Sequence, residues 1–233
     1  VSGEKSAASG SGSAFVDGEA DGYDREAFAA ETGVSRETLG RFETWRRMLE
    51  ETNAHTNLVG RSTISEFWYR HALDSWQVYE LGCGVRPGAA RWADLGSGAG
   101  FPGFAIAFGL MQAGTPGARV HLVESIAKKA AFLNAVALET GAPVNVLRDR
   151  AESLHPVPEV DIVTARAMAP LGKLFGYLQP FVDKGASALL HKGGRYKEEL
   201  TEARKSWTFD VKVIPSRTSP DAAILKIEGL TRV

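Results

Sequence analysis

The sequence predicts an α/β fold: an open, mostly parallel sheet of seven strands, closed by an antiparallel hairpin and preceded by a helical extension. Three observations carry that prediction. From residue 91 onward, short apolar and β-branched runs alternate with helical stretches, the pattern of a parallel sheet with helices on its faces. A glycine-rich string joins the first of those runs to the helix that follows it. The last two strand candidates are separated only by the Pro-bearing loop 215–221, which is too short for a crossover and suits an antiparallel pair.

In chain order, residues 1–22 are mostly Gly, Ser, Ala and acids, with neither the basic start nor the apolar stretch of a signal peptide, and read as a disordered tail. Residues 23–84 read as a helical extension packed on the core. Its first helix is Asp24 to Glu31, and Ser35 then serves as an N-cap before Leu39, Phe42, Trp45 and Leu49 recur at helical spacing. A third helix opens at Thr63-Ile64-Ser65-Glu66, a capping-box pattern, and runs to about Leu81, where Gly82 and Gly84 supply a stop. The core, 85–233, carries strands near 91–95, 118–123, 143–147, 160–164, 185–191, 208–214 and 222–228. The helices between them fall near 101–111, 126–140, 170–180 and 195–206. At 233 residues the chain suits one structural domain overall.

Composition excludes several classes. Hydrophobic residues make up 44% and charged residues 24%, and no apolar run reaches the length of a membrane span. Cys83 is the single cysteine, which rules out an intramolecular disulfide and a four-cysteine metal site and fits a reducing cytoplasm. No metal is expected. The formal net charge of -1 hides an uneven distribution: residues 1–31 carry a net of -5, so the remainder is modestly basic, which permits a nucleic-acid partner.

The most informative stretch is Trp92-Ala93-Asp94-Leu95-Gly96-Ser97-Gly98-Ala99-Gly100-Phe101-Pro102-Gly103, where glycines let the backbone turn sharply and approach a ligand closely. A literal G-x-G-x-x-G runs from Gly98 to Gly103, but in the dinucleotide fingerprint the first glycine follows the strand directly. Counting from Gly96 puts Phe101 at the third glycine. Counted as Asp-Leu-Gly-x-Gly-x-Gly, the string is similar to the motif of S-adenosylmethionine-dependent methyltransferases. There the acid ends the first strand and the glycines pass beneath the methionine portion of the cofactor. Glu124 closes the second strand, where an acid can accept both ribose hydroxyls of an adenosine. NAD would want the same acid, so a dinucleotide-dependent oxidoreductase stays open as an alternative.

Beyond this loop, Asn57-Leu58, Arg70-His71-Ala72-Leu73-Asp74-Ser75, Lys128 to Leu133, Arg166-Ala167 and Lys192-Gly193 follow in unbroken order over about residues 37–228. Together with the glycine string they resemble the RsmG (GidB) family of bacterial guanine-N7 methyltransferases, which act on small-subunit ribosomal RNA. The resemblance implies a Rossmann-like, seven-stranded class I methyltransferase core and S-adenosyl-L-methionine as cofactor, with S-adenosyl-L-homocysteine as product. It implies 16S ribosomal RNA or a small-subunit particle as partner, and no membrane; a monomer is the default expectation. Carried over position by position, it implies cofactor contacts at Gly96, Gly98, Gly100 and Phe101, at Ala151 and Glu152 beside the adenine, and at Arg166, joined by Asp94 and Glu124. Ser97 and Ala99 stand where many relatives have Thr and Pro, and His191 before Lys192 is less usual.

Arg166 and Lys192 follow adjacent strands at the end that faces the ligand crevice of open α/β sheets, and with His71 they are the candidate catalytic residues. Lys192, Arg195 and Lys197 form a candidate RNA-phosphate patch. Asp74 and Asn57 read as capping or packing residues, while Trp68, Tyr69 and Trp76 at helical spacing read as core. The sequence carries no cysteine placed for carbon methylation, and Thr164-Ala165-Arg166-Ala167-Met168 stands where amine methyltransferases carry Asn-Pro-Pro-Tyr. Both absences suit an acceptor with a free lone pair, such as guanine N7. A small-molecule methyltransferase with the same cofactor loop is the other open alternative.

Overall fold

The computed structural model describes residues 22–233; apart from Gly22, the tail expected over 1–22 lies outside the described residues. Helix α1 (Arg25–Thr32) starts where the Asp24 carboxylate accepts the Ala27 N–H at 2.9 Å and stops at Gly33, whose left-handed backbone closes the last turn. Helix α2 (Arg36–Asn53) is capped by Ser35 as the spacing requires, and Leu39, Phe42, Trp45 and Leu49 form its buried face. Asn53 then shapes the following loop, its amide oxygen accepting from the Leu58 and Val59 N–H groups.

The third predicted helix differs from its sequence reading. It is broken into α3 (Arg61–Ile64), a π-helical stretch Phe67–Leu73, and α4 (Asp74–Val85). The expected capping box does not form. The Thr63 hydroxyl bonds the Gly60 carbonyl at 2.8 Å and meets His71 Nε2 at 3.1 Å, and Glu66 pairs with Arg70. Nor does α4 stop at its glycines: a Cβ on Gly82 would lie 2.0 Å from Cη2 of Trp92, so this glycine serves close helix–strand packing and not termination.

The core follows its predicted order: β1 (Arg91–Leu95), α5 (Gly103–Gln112), β2 (Arg119–Val123), α6 (Ala127–Thr140), β3 (Val144–Leu147), a 3-10 turn Ala151–Ser153, β4 (Ile162–Arg166), α7 (Leu171–Val182), β5 (Ser187–Lys192), α8 (Tyr196–Ala203), β6 (Trp207–Pro215) and β7 (Ala223–Arg232). The strands form one seven-stranded sheet in the order β3-β2-β1-β4-β5-β7-β6, parallel from β3 to β5 and antiparallel where β7 pairs with β5 and β6.

Alternation along the strands feeds two apolar layers. Trp92, Val120 and Leu122 point into one, which also holds α4, α5, α6 and the aromatic face of α2. Ala93, Val163, Leu190 and Leu225 point into the other, against α7 and α8. The extension joins the first layer directly: Trp45 donates from its indole N–H to the Ala99 carbonyl inside the glycine loop at 2.9 Å and packs 4.5 Å from the Phe101 ring. Chain order reverses between β1 and β4, and the crevice beyond the strand ends there is where open α/β sheets bind ligands.

Candidate active site

Two cavities open at the C-terminal ends of the strands. The smaller, about 210 Å³, is bounded by Gly96 after β1, Glu124 after β2, the 3-10 turn carrying Ala151 and Glu152, and Tyr177 of α7. The larger, about 1190 Å³, lies beyond β4 and β5 and is walled by the π-helical stretch and by the loop leading from β6 to β7. Met168 and Ala169 line both.

The glycine loop is shaped by positive φ at Gly96 (69°), Gly98 (56°) and Gly100 (99°), values that side chains resist. A Cβ on Gly100 would strike Phe104 at 2.2 Å, and one on Gly96 would come within 2.9 Å of Met168 Cγ. Glu124 is nearly buried and ties the loop to β2: Oε2 accepts the Gly98 N–H at 3.0 Å and Oε1 the Ile126 N–H at 2.8 Å. Each carboxylate oxygen retains a lone pair on the cavity side for a ligand hydroxyl.

Asp94, expected among the cofactor contacts, is fully buried beneath the loop and lines neither cavity. Thr164 donates to its Oδ1 at 3.0 Å, the Ser97 hydroxyl bonds its carbonyl at 2.8 Å, and Oδ2 makes no hydrogen bond. Burial pushes its carboxyl up to about 7 against the opposing pull of Ser97 and Thr164.

Phe101, also expected among the cofactor contacts, is 4% exposed, lines neither cavity and supports Arg166. The guanidinium of Arg166 sits 4.7 Å above the ring, and the His71 imidazole stacks on Phe101 with centroids 4.5 Å apart. Arg166 lines the larger cavity and donates to the Asp74 carboxylate at 2.8 Å, the Arg70 carbonyl at 3.3 Å and His71 Nδ1 at 3.2 Å. An arginine can only donate, so His71 Nδ1 accepts, and Nε2–H is free to donate to Thr63. Burial, reinforced by the Arg166 charge, holds the imidazole down at about 3 and hence neutral.

Lys192 is expected in the RNA-phosphate patch and among the catalytic residues. Its side chain is 9% exposed, its ammonium contacting Glu199 at 2.6 Å and the Ala169 carbonyl at 2.9 Å. That pairing anchors the segment shared by the two cavities, since Glu199 also accepts the first N–H of α7 at 2.9 Å. Arg195 is exposed on the rim of the larger cavity, and Lys197 is exposed on α8 beside Tyr196.

The structure thus brings Gly96, Glu124, Ala151 and Glu152 to one cavity and Arg166, Lys192 and Arg195 to the other. Sequence reasoning took Asp74 for a capping or packing residue and missed its place in the site. Its carboxylate bonds Arg166, Thr218 at 2.6 Å, Gln77 at 3.0 Å and His191 at 3.1 Å. Burial favours the neutral acid, but His191, Arg166 and Thr218 outweigh it and hold Asp74 well below the usual carboxylate range. The available signal was the polar stripe Glu66, Arg70, Asp74, Gln77 at helical spacing in an otherwise apolar run. Ala167, at φ 50°, is the single non-glycine residue with positive φ among the described residues, and it lines the larger cavity.

A family model described as rRNA small subunit methyltransferase G (GidB) matches residues 38–223. A protein of Bradyrhizobium sp. (strain ORS 278) called ribosomal RNA small subunit methyltransferase G is 46% identical over 213 residues, covering 90% of this chain and 92% of that one. Its namesake in Parvibaculum lavamentivorans is 44% identical over 208 residues, covering 89% and 90%. Among solved structures, Aeropyrum pernix fibrillarin with natively bound S-adenosyl-L-methionine matches with a TM-score of 0.51 at 19% identity, covering 68% of this chain and 75% of that one, a likeness of fold. With 186 residues matched in one continuous span, the chain belongs to the rRNA small subunit methyltransferase G family.

Proposed function

We propose that this chain transfers the methyl group of S-adenosylmethionine to N7 of a guanine in 16S ribosomal RNA, in the cytoplasm, on the naked RNA or on a small-subunit particle. One observation carries the reading: a cavity with an adenosine-type donor set adjoins a larger, cation-bearing cleft across a wall of two residues, Met168 and Ala169. The residues fit the cofactor. Glu124 would offer its free lone pairs to ribose hydroxyls, Ala151 and Glu152 would flank the adenine, and Tyr177 would add an aromatic face. Gly96, Gly98 and Gly100 give the backbone a path with no side chain toward the ligand, while Asp94 supports that path from below. When bound, the cofactor supplies a sulfonium methyl group already activated for displacement.

The chain's own task is alignment. Arg166 lies at the floor of the cleft, held over Phe101 and against Asp74, where it orients the RNA without occupying the atom to be methylated. His71, kept neutral, holds the guanidinium plane by accepting one of its N–H groups. Lys192 fixes the wall between the cavities, leaving Arg195 and Lys197 for RNA phosphates. Guanine N7 carries an in-plane lone pair and no proton near neutral pH, so no general base is required. The A-form major groove hides N7, so the substrate is a loop or extruded guanine.

The test is to incubate the purified protein and labelled S-adenosylmethionine with unmodified 16S RNA and small-subunit particles, then identify the methylated nucleoside by mass. 7-Methylguanosine is the expected product. Another methylated nucleoside, or label in neither RNA, would defeat the reading.

A further inference from the structure

The Asp74 carboxylate joins four separate pieces of chain at one point on the floor of the larger cavity. It stands at the start of α4. Its Oδ2 takes the Arg166 guanidinium from the end of β4 at 2.8 Å. Its Oδ1 takes His191 from the end of β5 at 3.1 Å and the Thr218 hydroxyl from the β6–β7 loop at 2.6 Å, with Gln77 of its own helix at 3.0 Å. The side chain is 14% exposed, so these bonds form out of bulk water, where their geometry is strongly held.

The same loop is fixed a second time along α4: the Arg217 N–H donates to Gln77 Oε1 at 3.0 Å, and Gln77 Nε2 reaches the Ser216 hydroxyl at 3.2 Å. Among the described residues, Asp74 is the carboxylate at ion-pair distance from Arg166. The remaining contacts of Arg166 are the Arg70 carbonyl, the neutral His71 ring and the face of Phe101.

We propose that Asp74 is a positioning residue for methyl transfer, setting the Arg166 guanidinium on the cleft floor and, through Thr218, drawing the β6–β7 loop against it as the cleft wall. The proposal rests on the reading that this cleft takes the RNA acceptor. Rigid placement of one charged group is the kind of effect that a small displacement undoes, and none of these contacts touches the smaller cavity.

The experiment is a double-mutant cycle on Asp74→Asn and Arg166→Met, measured as kcat and KM for 16S RNA, as affinity for S-adenosylhomocysteine, and as the unfolding midpoint. Asn keeps the shape and an oxygen to accept from Thr218, but it loses the charge that fixes Arg166. In Asp74→Asn, kcat is expected to fall about 10–100-fold, with S-adenosylhomocysteine affinity weakened no more than in Arg166→Met. The double variant is expected to lose no more than the worse single one, because both break the same link. Thr218→Val, which removes only the tie to the loop, is expected to raise KM for RNA more than it lowers kcat. Losses that multiply in the double variant, or a fall in kcat that follows the unfolding midpoint and cofactor affinity together, would overturn the positioning role. Wild-type protein inactive on ribosomal RNA would overturn the underlying reading instead.

Discussion

Asp94 is a fully buried carboxyl and Asp74 a largely buried one, and their surroundings drive them in opposite directions. Asp74 has four donors, one of them a guanidinium, and stays ionised. Asp94 has the neutral Thr164 hydroxyl on one oxygen, and burial, outweighing Ser97, Thr164 and the Arg166 charge, lifts it to about 7. Its linkage to stability has a definite sign. Below the unfolded carboxylate value near 4, both folded and unfolded states are protonated and the group costs nothing. As pH rises from about 4 to 7 the unfolded chain releases the proton first, so folding loses stability, and the loss is complete above 7. Asp94→Asn removes that dependence. Its unfolding midpoint relative to wild type is therefore expected to rise from pH 5 to pH 8 in thermal scans, and a constant difference across that range would contradict the assignment. His71, held at about 3, changes no charge between about pH 6.5 and 8.5. Single-turnover methylation at saturating cofactor is accordingly expected to follow the same pH profile there in wild type and in His71→Asn. A tenfold rise with pH in wild type that disappears in the variant would make the histidine a base.

At the scale of elements, Gly82 shows where local sequence rules give way. Gly82 and Gly84 follow an apolar helical run, and by local rules they mark its end. The helix continues to Val85 because Gly82 faces the indole of Trp92, where a methyl group would overlap at 2.0 Å. Gly82→Ala, which on an exposed helix would stabilise by up to about 1 kcal/mol, is expected here to destabilise by about 1–3 kcal/mol through overpacking. Denaturant unfolding of the variant measures it, and a gain in stability would show that α4 and β1 have room to separate. The same contrast explains what the sequence made legible. α1 and α2 were readable because each buries a face whose period appears in the chain, with Asp24 and Ser35 capping through their immediate neighbours, and the seven strands because they are short apolar or β-branched runs set between helical stretches. The π-helical stretch was not, since one inserted residue does not alter the apolar pattern enough to be seen. In the site, Gly96 and Glu124 were legible because a ligand cavity at the strand ends follows from topology, and Ala151 and Glu152 because the family resemblance implied them. Asp74, His191 and Met168 were not, because their partners lie more than 70 residues away in the chain and meet only when the sheet has formed.

At the scale of the whole molecule, the extension and the sheet share one apolar layer. Phe28, Phe42, Trp45 and Phe67 are packed with Phe101, Phe104 and Phe108 in a run of aromatic contacts reaching from α1 to α5. Arg217, in the loop that walls the larger cavity, pairs with both Glu31 at the end of α1 and Glu80 of α4, so the extension is also fixed to the opposite rim. Removing it would expose a large part of the aromatic face of α5 and free the Ala99 carbonyl that Trp45 occupies. Neither part retains a complete core without the other, so the chain is expected to unfold in one cooperative step. Two probes test this. Far-ultraviolet circular dichroism reports helices and sheet together. Tryptophan fluorescence reports mainly the shared layer, because Trp45, Trp68, Trp76 and Trp92, four of the five tryptophans, belong to it or pack against it. Their denaturant midpoints and slopes are expected to coincide. An earlier fluorescence transition, with most of the dichroism retained, would mean that the extension detaches first and that the sheet holds its fold without it.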